Sequence, residues 1–166
     1  HALAHYNRAF VLMKLDRPRE AIDSFDRCIA ITPQYAPAHY LKGRALYSVG
    51  LNQDSVYAFD QALESDPLCS KAALYKSAAL HDLGNNEDSL SASEKAIEIN
   101  PESAESWYRK GVALVNLDRL LDGVSAFDKA IELDPSTAQT QYDKGLALIK
   151  LGRHIDAINA FDRVLE

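Results

Sequence analysis

Apolar and polar positions along the chain repeat with a period of 34 residues. Four prolines mark this period, at Pro33, Pro67, Pro101 and Pro135. Four further columns of the same register hold leucine, phenylalanine, a small residue and alanine. Their members are Leu12, Leu46, Leu80, Leu114 and Leu148; Phe25, Phe59, Phe127 and Phe161; Gly43, Gly111 and Gly145, with Ala9 and Ser77; and Ala62, Ala96 and Ala130, with Cys28 and Val164. A fixed period of this length indicates an array of stacked repeats.

Each repeat is predicted to contain two helices. In the fourth repeat the apolar spacing places them at roughly 104–116 and 120–133. Ser103 and Thr137 stand where a hydroxyl can cap the helix that follows. The residue before each repeat proline is pushed out of helical geometry, so the second helix ends there. The first helix is predicted to stop at a residue that tolerates a left-handed backbone. These residues are Gly50, Gly84, Gly152, Asp16 and Asp118.

This pattern resembles the tetratricopeptide repeat family over essentially the whole chain. The fourth repeat shows the family's residues best, at Trp107, Gly111, Leu114, Phe127, Ala130 and Pro135. The aromatic slot departs from the family in the other repeats, where it holds His5, His39, Ala73 and Gln141. The leucine slot is basic throughout, with Arg8, Lys42, Lys76, Lys110 and Lys144. The resemblance implies an all-α fold, a right-handed superhelical solenoid of about five 34-residue helix–turn–helix repeats.

We interpret the whole chain, 1–166, as a single array. Its repeats are 2–35, 36–69, 70–103, 104–137 and the incomplete 138–166. We expect it to be an excerpt of a longer protein, because the ends of such arrays normally carry a polar capping helix. The last helix has no successor to cover Ile158 and Phe161. We therefore also expect self-association through the uncapped repeat ends.

Composition narrows the choice of partner and compartment. The formal net charge is −6 and the pI is near 5.3, whereas a nucleic-acid-binding protein normally carries a basic excess. No apolar run reaches the length of a membrane-spanning helix. The two cysteines, Cys28 and Cys69, have no metal-binding spacing and suit a reducing compartment. These features predict a cytoplasmic protein that contacts neither nucleic acid nor a membrane.

The sequence offers no catalytic constellation. It has no glycine-rich phosphate loop, no nucleophile elbow and no zinc-binding histidine pair on a helix. His5 and His39 fall in the slot where the family places a packing aromatic, which favours packing over metal binding. The chain is therefore predicted not to be an enzyme and to hold no cofactor and no metal.

The family resemblance implies a peptide-binding groove lined by the first helix of each repeat. Taken together, all first-helix positions that the resemblance assigns to this groove carry five basic and three acidic residues. The groove is therefore less acidic than the rest of the chain. The sequence leaves open whether the tyrosines on this surface bind a ligand or mainly pack against neighbouring helices. The predicted peptide-binding residues are Tyr6, Asn7, Phe10, Met13, Tyr40, Arg44, Tyr47, Lys71, Tyr75, His81, Tyr108, Arg109, Asn116 and Tyr142.

The leading hypothesis is a protein–protein interaction scaffold that takes a partner's peptide segment in this groove. The clamp by which some family members hold a chaperone's terminal carboxylate is absent, because Tyr40, Tyr75 and Glu105 occupy three of its places when it is aligned from the second repeat. Two alternatives remain: a substrate-recruiting segment of a larger multidomain protein, and a self-assembly element.

Overall fold

The computed structural model describes residues 1–165, which contain ten α-helices and no strand. The helices alternate between the first and the second helix of a repeat, as the 34-residue period predicts. They are α1 (Ala2–Lys14), α2 (Pro18–Ile31), α3 (Ala36–Ser48), α4 (Asn52–Ser65), α5 (Ser70–Asp82), α6 (Asn86–Ile99), α7 (Ala104–Asn116), α8 (Leu120–Leu133), α9 (Ala138–Lys150) and α10 (His154–Leu165). The all-α prediction is confirmed, and the two helices of the fourth repeat have the predicted bounds.

The turns between the paired helices adopt the predicted left-handed backbone. Positive φ angles of 73–78° occur at the three turn glycines, and Asp16 and Asp118 have φ of 55° and 58°. The predicted cap at Ser103 is confirmed, because its hydroxyl oxygen accepts a hydrogen bond of 3.2 Å from the Ser106 amide. The predicted cap at Thr137 is wrong. Its hydroxyl instead donates to the Asp134 carbonyl oxygen, and α9 begins without a side-chain cap.

The glycine and phenylalanine columns pack directly on each other within a repeat. A Cβ atom built on Gly111 would lie 2.5 Å from the Phe127 ring, and one on Gly43 would lie 2.6 Å from the Phe59 ring. Because real Cβ atoms need more space than this, only glycine lets the two helices approach so closely. The rings of Phe59 and Phe127 are fully buried as a result, and each packs the second helix of its repeat against the first.

The basic residues in the family's leucine slot form ion pairs between successive repeats. Lys42 lies 2.6 Å from Asp26, which is 16 residues earlier on the second helix of the preceding repeat. The same pairing recurs at 2.6–2.9 Å in the later repeats, for Lys76 with Asp60, Lys110 with Glu94 and Lys144 with Asp128. Arg8 differs, since it donates a hydrogen bond to the hydroxyl of Ser24 in its own repeat. The departure from leucine therefore replaces an apolar contact by a column of ion pairs.

The aromatic slot anchors the turn between repeats, even where histidine replaces the aromatic residue. The indole nitrogen of Trp107 donates to the Pro101 carbonyl oxygen over 2.9 Å. In the second repeat, Nε2 of the buried His39 lies 2.6 Å from the Pro33 carbonyl oxygen, six residues earlier as in the fourth repeat. A ring nitrogen that reaches a backbone carbonyl explains why the two residue types exchange here, and the predicted packing role of His39 is confirmed.

The chain divides into two compact units, residues 1–84 and 85–166, at the turn between the two helices of the third repeat. We call them unit 1 and unit 2. Within unit 1 each helix packs on the next, and α3 also contacts both α1 and α5. Within unit 2 the same holds, and α7 contacts α9. First helices therefore lie side by side in each unit, where they form a shared surface.

Candidate functional site

The predicted peptide-binding residues all lie on first helices and none of them is fully buried. The unit-1 surface, formed by α1, α3 and α5, carries ten of them. These are Tyr6, Asn7, Phe10, Met13, Tyr40, Arg44, Tyr47, Lys71, Tyr75 and His81. The unit-2 surface, formed by α7 and α9, carries Tyr108, Arg109, Asn116 and Tyr142. The structure thus places the candidates on two helical surfaces, one in each unit.

Tyrosines at the fifth position of a repeat pack against the core beneath these surfaces. In four of the five repeats the ring packs on the phenylalanine of the same repeat, with ring centroids 5.7–6.3 Å apart. The pairs are Tyr6 with Phe25, Tyr40 with Phe59, Tyr108 with Phe127 and Tyr142 with Phe161. Part of each tyrosine stays exposed to solvent. The packing role left open by the sequence is therefore present, and a binding role for the exposed part stays a prediction.

An aromatic cluster with an arginine beside it forms the centre of the unit-1 surface. Tyr75 stacks on Phe59 of the preceding repeat at 6.1 Å and lies at the same distance from Tyr40. The Arg44 guanidinium carbon lies 5.1 Å from the centroid of the Tyr75 ring and 5.9 Å from that of Tyr40. Burial raises the pKa of the Tyr40 hydroxyl, while the positive charge of Arg44 opposes the rise. Two rings and one cation thus share a half-buried position between α3 and α5.

Arg44 has no acidic neighbour in the described part of the chain, since no carboxylate lies within ion-pair distance of it. Lys71 is exposed one helical turn before Tyr75 and is likewise without an ion pair among residues 1–165. The first helices of unit 1 carry one acidic residue, Asp82, at the end of α5. The unit-1 surface therefore presents uncompensated positive charge beside aromatic rings.

The first repeat adds a smaller aromatic group to the unit-1 surface. Tyr6 packs edge-on against Tyr35 at 5.3 Å, and burial followed by the proximity of Tyr35 raises the pKa of the Tyr6 hydroxyl. Phe10 is 44% exposed, with the Lys14 ammonium 5.6 Å from its ring centroid. Met13 packs against the apolar core of the first repeat. Tyr35 was not among the predicted residues because it lies in the turn before α3, outside the periodic first-helix positions.

Three charged groups of the unit-2 surface, Glu105, Arg109 and Asp143, have partners on that surface. The Tyr108 hydroxyl donates to an Asp143 carboxylate oxygen over 2.9 Å, and Gln139 donates to the same oxygen over 3.0 Å. Burial and this hydrogen bond raise the pKa of Tyr108 to about 12. Arg109 lies 3.6 Å from Glu105 on its own helix and 5.6 Å from the Tyr108 ring. Arg109 therefore has a carboxylate partner on its own helix.

Two further unit-2 candidates differ in how firmly they are held. The Asn116 side-chain amide donates to the Asn86 side-chain oxygen on α6 over 3.3 Å. Tyr142 packs on Phe161 but remains 46% exposed.

One open cavity of about 340 Å³ lies in unit 2 between α8, α9 and α10, where its lining includes the ion pair of Lys144 with Asp128. This cavity lies on the side of the second helices and holds none of the predicted residues.

The position of Cys28 indicates a structural role for this thiol. Cys28 is fully buried, and burial raises the pKa of its thiol, which makes it a poor nucleophile. Residues 1–165 contain no group of three or more histidine, cysteine, aspartate and glutamate side chains arranged to hold a metal ion. Among the described helices, none combines the length and the apolar character needed to cross a membrane.

Solved structures similar to this chain are themselves helical repeat proteins. A double mutant of MamA RS-1 matches with 24% sequence identity and a TM-score of 0.93, covering 99% of this chain and 92% of that one. MamA from Desulfovibrio magneticus RS-1, residue 41 to the end, gives the same identity and score and 93% coverage of its own chain. YrrB, described as a TPR protein with an unusual peptide-binding site, is 21% identical, with a TM-score of 0.85 and coverage of 99% and 85%. At these identities the likeness establishes the fold, an all-α repeat solenoid. No match was found among curated proteins.

Two family models account for nearly all of the sequence. Both are described as tetratricopeptide repeat. One matches residues 40–104, 82–138 and 108–166, and the other matches residues 2–35. The matches cover all five repeats derived from the 34-residue period. The chain belongs to the tetratricopeptide repeat family.

Proposed function

We propose that the chain is a protein-interaction scaffold that binds a peptide segment of a partner on the surfaces of its first helices. The observation that carries the proposal is the chemistry of the unit-1 surface, where half-exposed tyrosines surround an arginine without an acidic partner. Tyrosine and arginine recur at binding hot spots because they bring large contact area and directional donors at low entropic cost. Family membership supports a role in protein interaction rather than in catalysis.

Charge also separates the proposed surfaces from the rest of the chain. The first-helix groove positions sum to +2, whereas the whole chain carries −6, so the remaining residues sum to −8. A partner segment with apolar anchors and some acidic character suits such a surface. Among similar structures, YrrB is described as having a peptide-binding site, which is consistent with this use of the fold. The acidic net charge argues against nucleic acid as the partner, and the cytoplasmic location stays a prediction.

The proposal is tested by selecting random peptides displayed on phage against two triple variants. The first, Arg44→Glu, Tyr75→Ala and Arg109→Glu, changes both first-helix surfaces. Its matched control makes the same substitution types at exposed second-helix positions: Arg27→Glu, Tyr57→Ala and Arg163→Glu. Peptide motifs selected on the unmodified chain are expected to be retained by the control and lost by the first variant. Absence of any enriched motif, or equal loss in both variants, would overturn peptide binding on first helices.

A second candidate function is self-assembly, favoured by one specific observation on α10. Ile158 is 54% exposed, whereas the residues of its column in the three preceding repeats are 6–7% exposed. Those residues are Val56, Leu90 and Val124. A second copy of this chain, packed on α10 as the next repeat would be, removes that apolar surface from water.

We expect Ile158→Ser to lower the average mass in concentrated solution measured by light scattering. The control Ile155→Ser changes an isoleucine whose column is also exposed in the preceding repeat, at Leu121. A concentration-independent monomeric mass of the unmodified chain would reject self-assembly.

A further inference from the structure

We infer that the unit-1 surface holds a subsite for one carboxylate side chain, an aspartate or glutamate of the bound peptide, and that Arg44 is the residue that binds it. The inference rests on the proposed peptide-binding function and narrows it to one position and one chemistry. It also assigns different tasks to the two units, since the arginine of unit 2 lies 3.6 Å from a carboxylate of its own helix.

Arg44 is held in place by two aromatic rings and by a side-chain hydrogen bond to the Tyr40 hydroxyl, which leaves most of its five N–H donors for a ligand. The Tyr75 and Tyr40 rings lie 5.1 and 5.9 Å from its guanidinium carbon, within the range of cation–π attraction. This contact uses the positive charge of the guanidinium and does not occupy its N–H groups, of which Tyr40 binds only part. A planar fork of donors matches the two oxygens of a carboxylate. Because the rings already restrict the side chain, less rotamer entropy is lost when a ligand binds.

The surroundings of Arg44 favour an acidic ligand over a neutral one. Lys71 lies on the same face of α5 as Tyr75, one helical turn away, and adds a second cation. Elsewhere in unit 1 the lysines that lie between repeats are paired, Lys42 with Asp26 and Lys76 with Asp60. Asp26 and Asp60 thus neutralise the lysines between repeats, whereas Arg44 and Lys71 keep a positive charge on the first-helix surface. Since the site is half-buried, water screens an ion pair there less than at an open surface.

Unit 2 shows the opposite arrangement on its first helices. Arg109 has its own carboxylate, Glu105, at 3.6 Å. The other carboxylate of this surface, Asp143, accepts hydrogen bonds from Tyr108 and Gln139. A peptide carboxylate at Arg109 would compete with Glu105 and lie near the charge of Asp143. We therefore place the acid-binding position in unit 1 alone.

The experiment selects random peptides displayed on phage, fused through their C-termini so that every carboxylate in the peptide is a side chain. Selection on the unmodified chain is expected to enrich aspartate or glutamate at one fixed position beside apolar residues. The best sequence and its counterpart with glutamine or asparagine at that position are then synthesised with amidated C-termini. Their dissociation constants are measured by fluorescence anisotropy against the unmodified chain, Arg44→Gln, Arg109→Gln and Arg27→Gln. Arg27 is an exposed second-helix arginine of the same unit and serves as the charge-matched control.

Arg44→Gln is expected to weaken binding of the acidic peptide by about 10-fold, or about 1.4 kcal/mol. The neutral counterpart should bind the unmodified chain and Arg44→Gln equally, because replacing the peptide carboxylate and replacing Arg44 remove the same interaction. Arg27→Gln and Arg109→Gln should leave the preference for the acidic peptide unchanged. Circular dichroism melting of each variant separates lost binding from lost folding.

Three outcomes overturn the inference in distinguishable ways. Enriched peptides that lack a fixed acidic position, and that still lose binding in the triple first-helix variant, refute the subsite while the proposed function stands. An acidic preference that disappears in Arg109→Gln and not in Arg44→Gln moves the subsite to unit 2 and refutes its assignment to Arg44. No enrichment on the unmodified chain refutes the peptide-binding function, and the subsite with it.

Discussion

Truncation of Phe59 tests whether the core beneath the unit-1 surface holds that surface in place. The ring is fully buried, lies on the backbone of Gly43 and contacts both Tyr40 and Tyr75 at 6.1–6.3 Å. Phe59→Ala removes these contacts together. Removal of a fully buried phenylalanine ring typically costs about 3–5 kcal/mol. About 2 kcal/mol of this is the transfer of apolar surface to water, and the cavity and the two lost ring contacts contribute the rest.

The column itself supplies the comparison for this prediction. Phe127 is equally buried but contacts one tyrosine, and Phe161 is half-buried. We therefore expect the loss in unfolding free energy, measured by urea titration with far-ultraviolet circular dichroism, to fall in the order Phe59→Ala, Phe127→Ala, Phe161→Ala. Phe59→Leu keeps most of the volume and should cost less than about 1.5 kcal/mol. A loss below about 1 kcal/mol for Phe59→Ala, or a larger one for Phe161→Ala, would refute the packing argument.

Three further predictions concern a cap, a close approach and a titration. Ser103→Ala should cost about 1 kcal/mol of unfolding free energy in a urea titration, because it removes a cap, whereas Thr137→Ala should have little effect. An equal loss in both would contradict this. Gly111→Ala should lower the melting temperature, because a Cβ 2.5 Å from a buried ring costs about 1–3 kcal/mol and the gain in helix propensity returns at most about 1 kcal/mol. A raised melting temperature would refute it. The pKa of Tyr108, about 12 against 10.0 for an ordinary tyrosine, means that the folded chain keeps a proton that the unfolded chain loses. The contribution of Tyr108 to the free energy of unfolding is therefore present in full below pH 10 and falls as the pH rises from 10 to 12. Ultraviolet titration of tyrosinate should lose this high-pH step in Tyr108→Phe and show it at lower pH in Asp143→Asn. An unchanged step in Asp143→Asn would show that burial alone raises the pKa.

The backbone of this chain is predictable from its sequence because local and repeat-level signals agree. Proline ends the second helix of the first four repeats, and glycine or aspartate ends each first helix in a left-handed turn. At Asp16 and Asp118 the aspartates adopt that backbone as the three turn glycines do. A 34-residue period then fixes which residues share a column, so even the bounds of α7 and α8 follow from the sequence. The cap predicted at Thr137 is wrong, because its hydroxyl stands at the right position but donates to a carbonyl oxygen instead.

Side-chain partners on the surface are less predictable, because they depend on which of several nearby groups a long side chain reaches. The basic column was visible in the sequence, but its acidic partners lie 16 residues earlier in the preceding repeat and emerge only when two columns are compared. Lys76 with Asp60 is one example. Arg44 and Arg109 both counted as basic groove residues in the sequence. The structure separates them, since Arg109 lies beside Glu105 and Arg44 lies between two tyrosine rings.

That separation decides how the net charge of a repeat surface should be interpreted. A cation contributes to ligand recognition to the extent that its own chain leaves it uncompensated, and the formal count of +2 over the groove positions comes entirely from unit 1. Unit 1 has Lys14, Arg44 and Lys71 against one carboxylate, and none of these cations is ion-paired within residues 1–165. Unit 2 has Arg109 and Lys150 against Glu105 and Asp143. The same repeat fold therefore carries a positive, aromatic surface in one unit and a surface without net charge in the other. A partner selected by charge should meet unit 1 first.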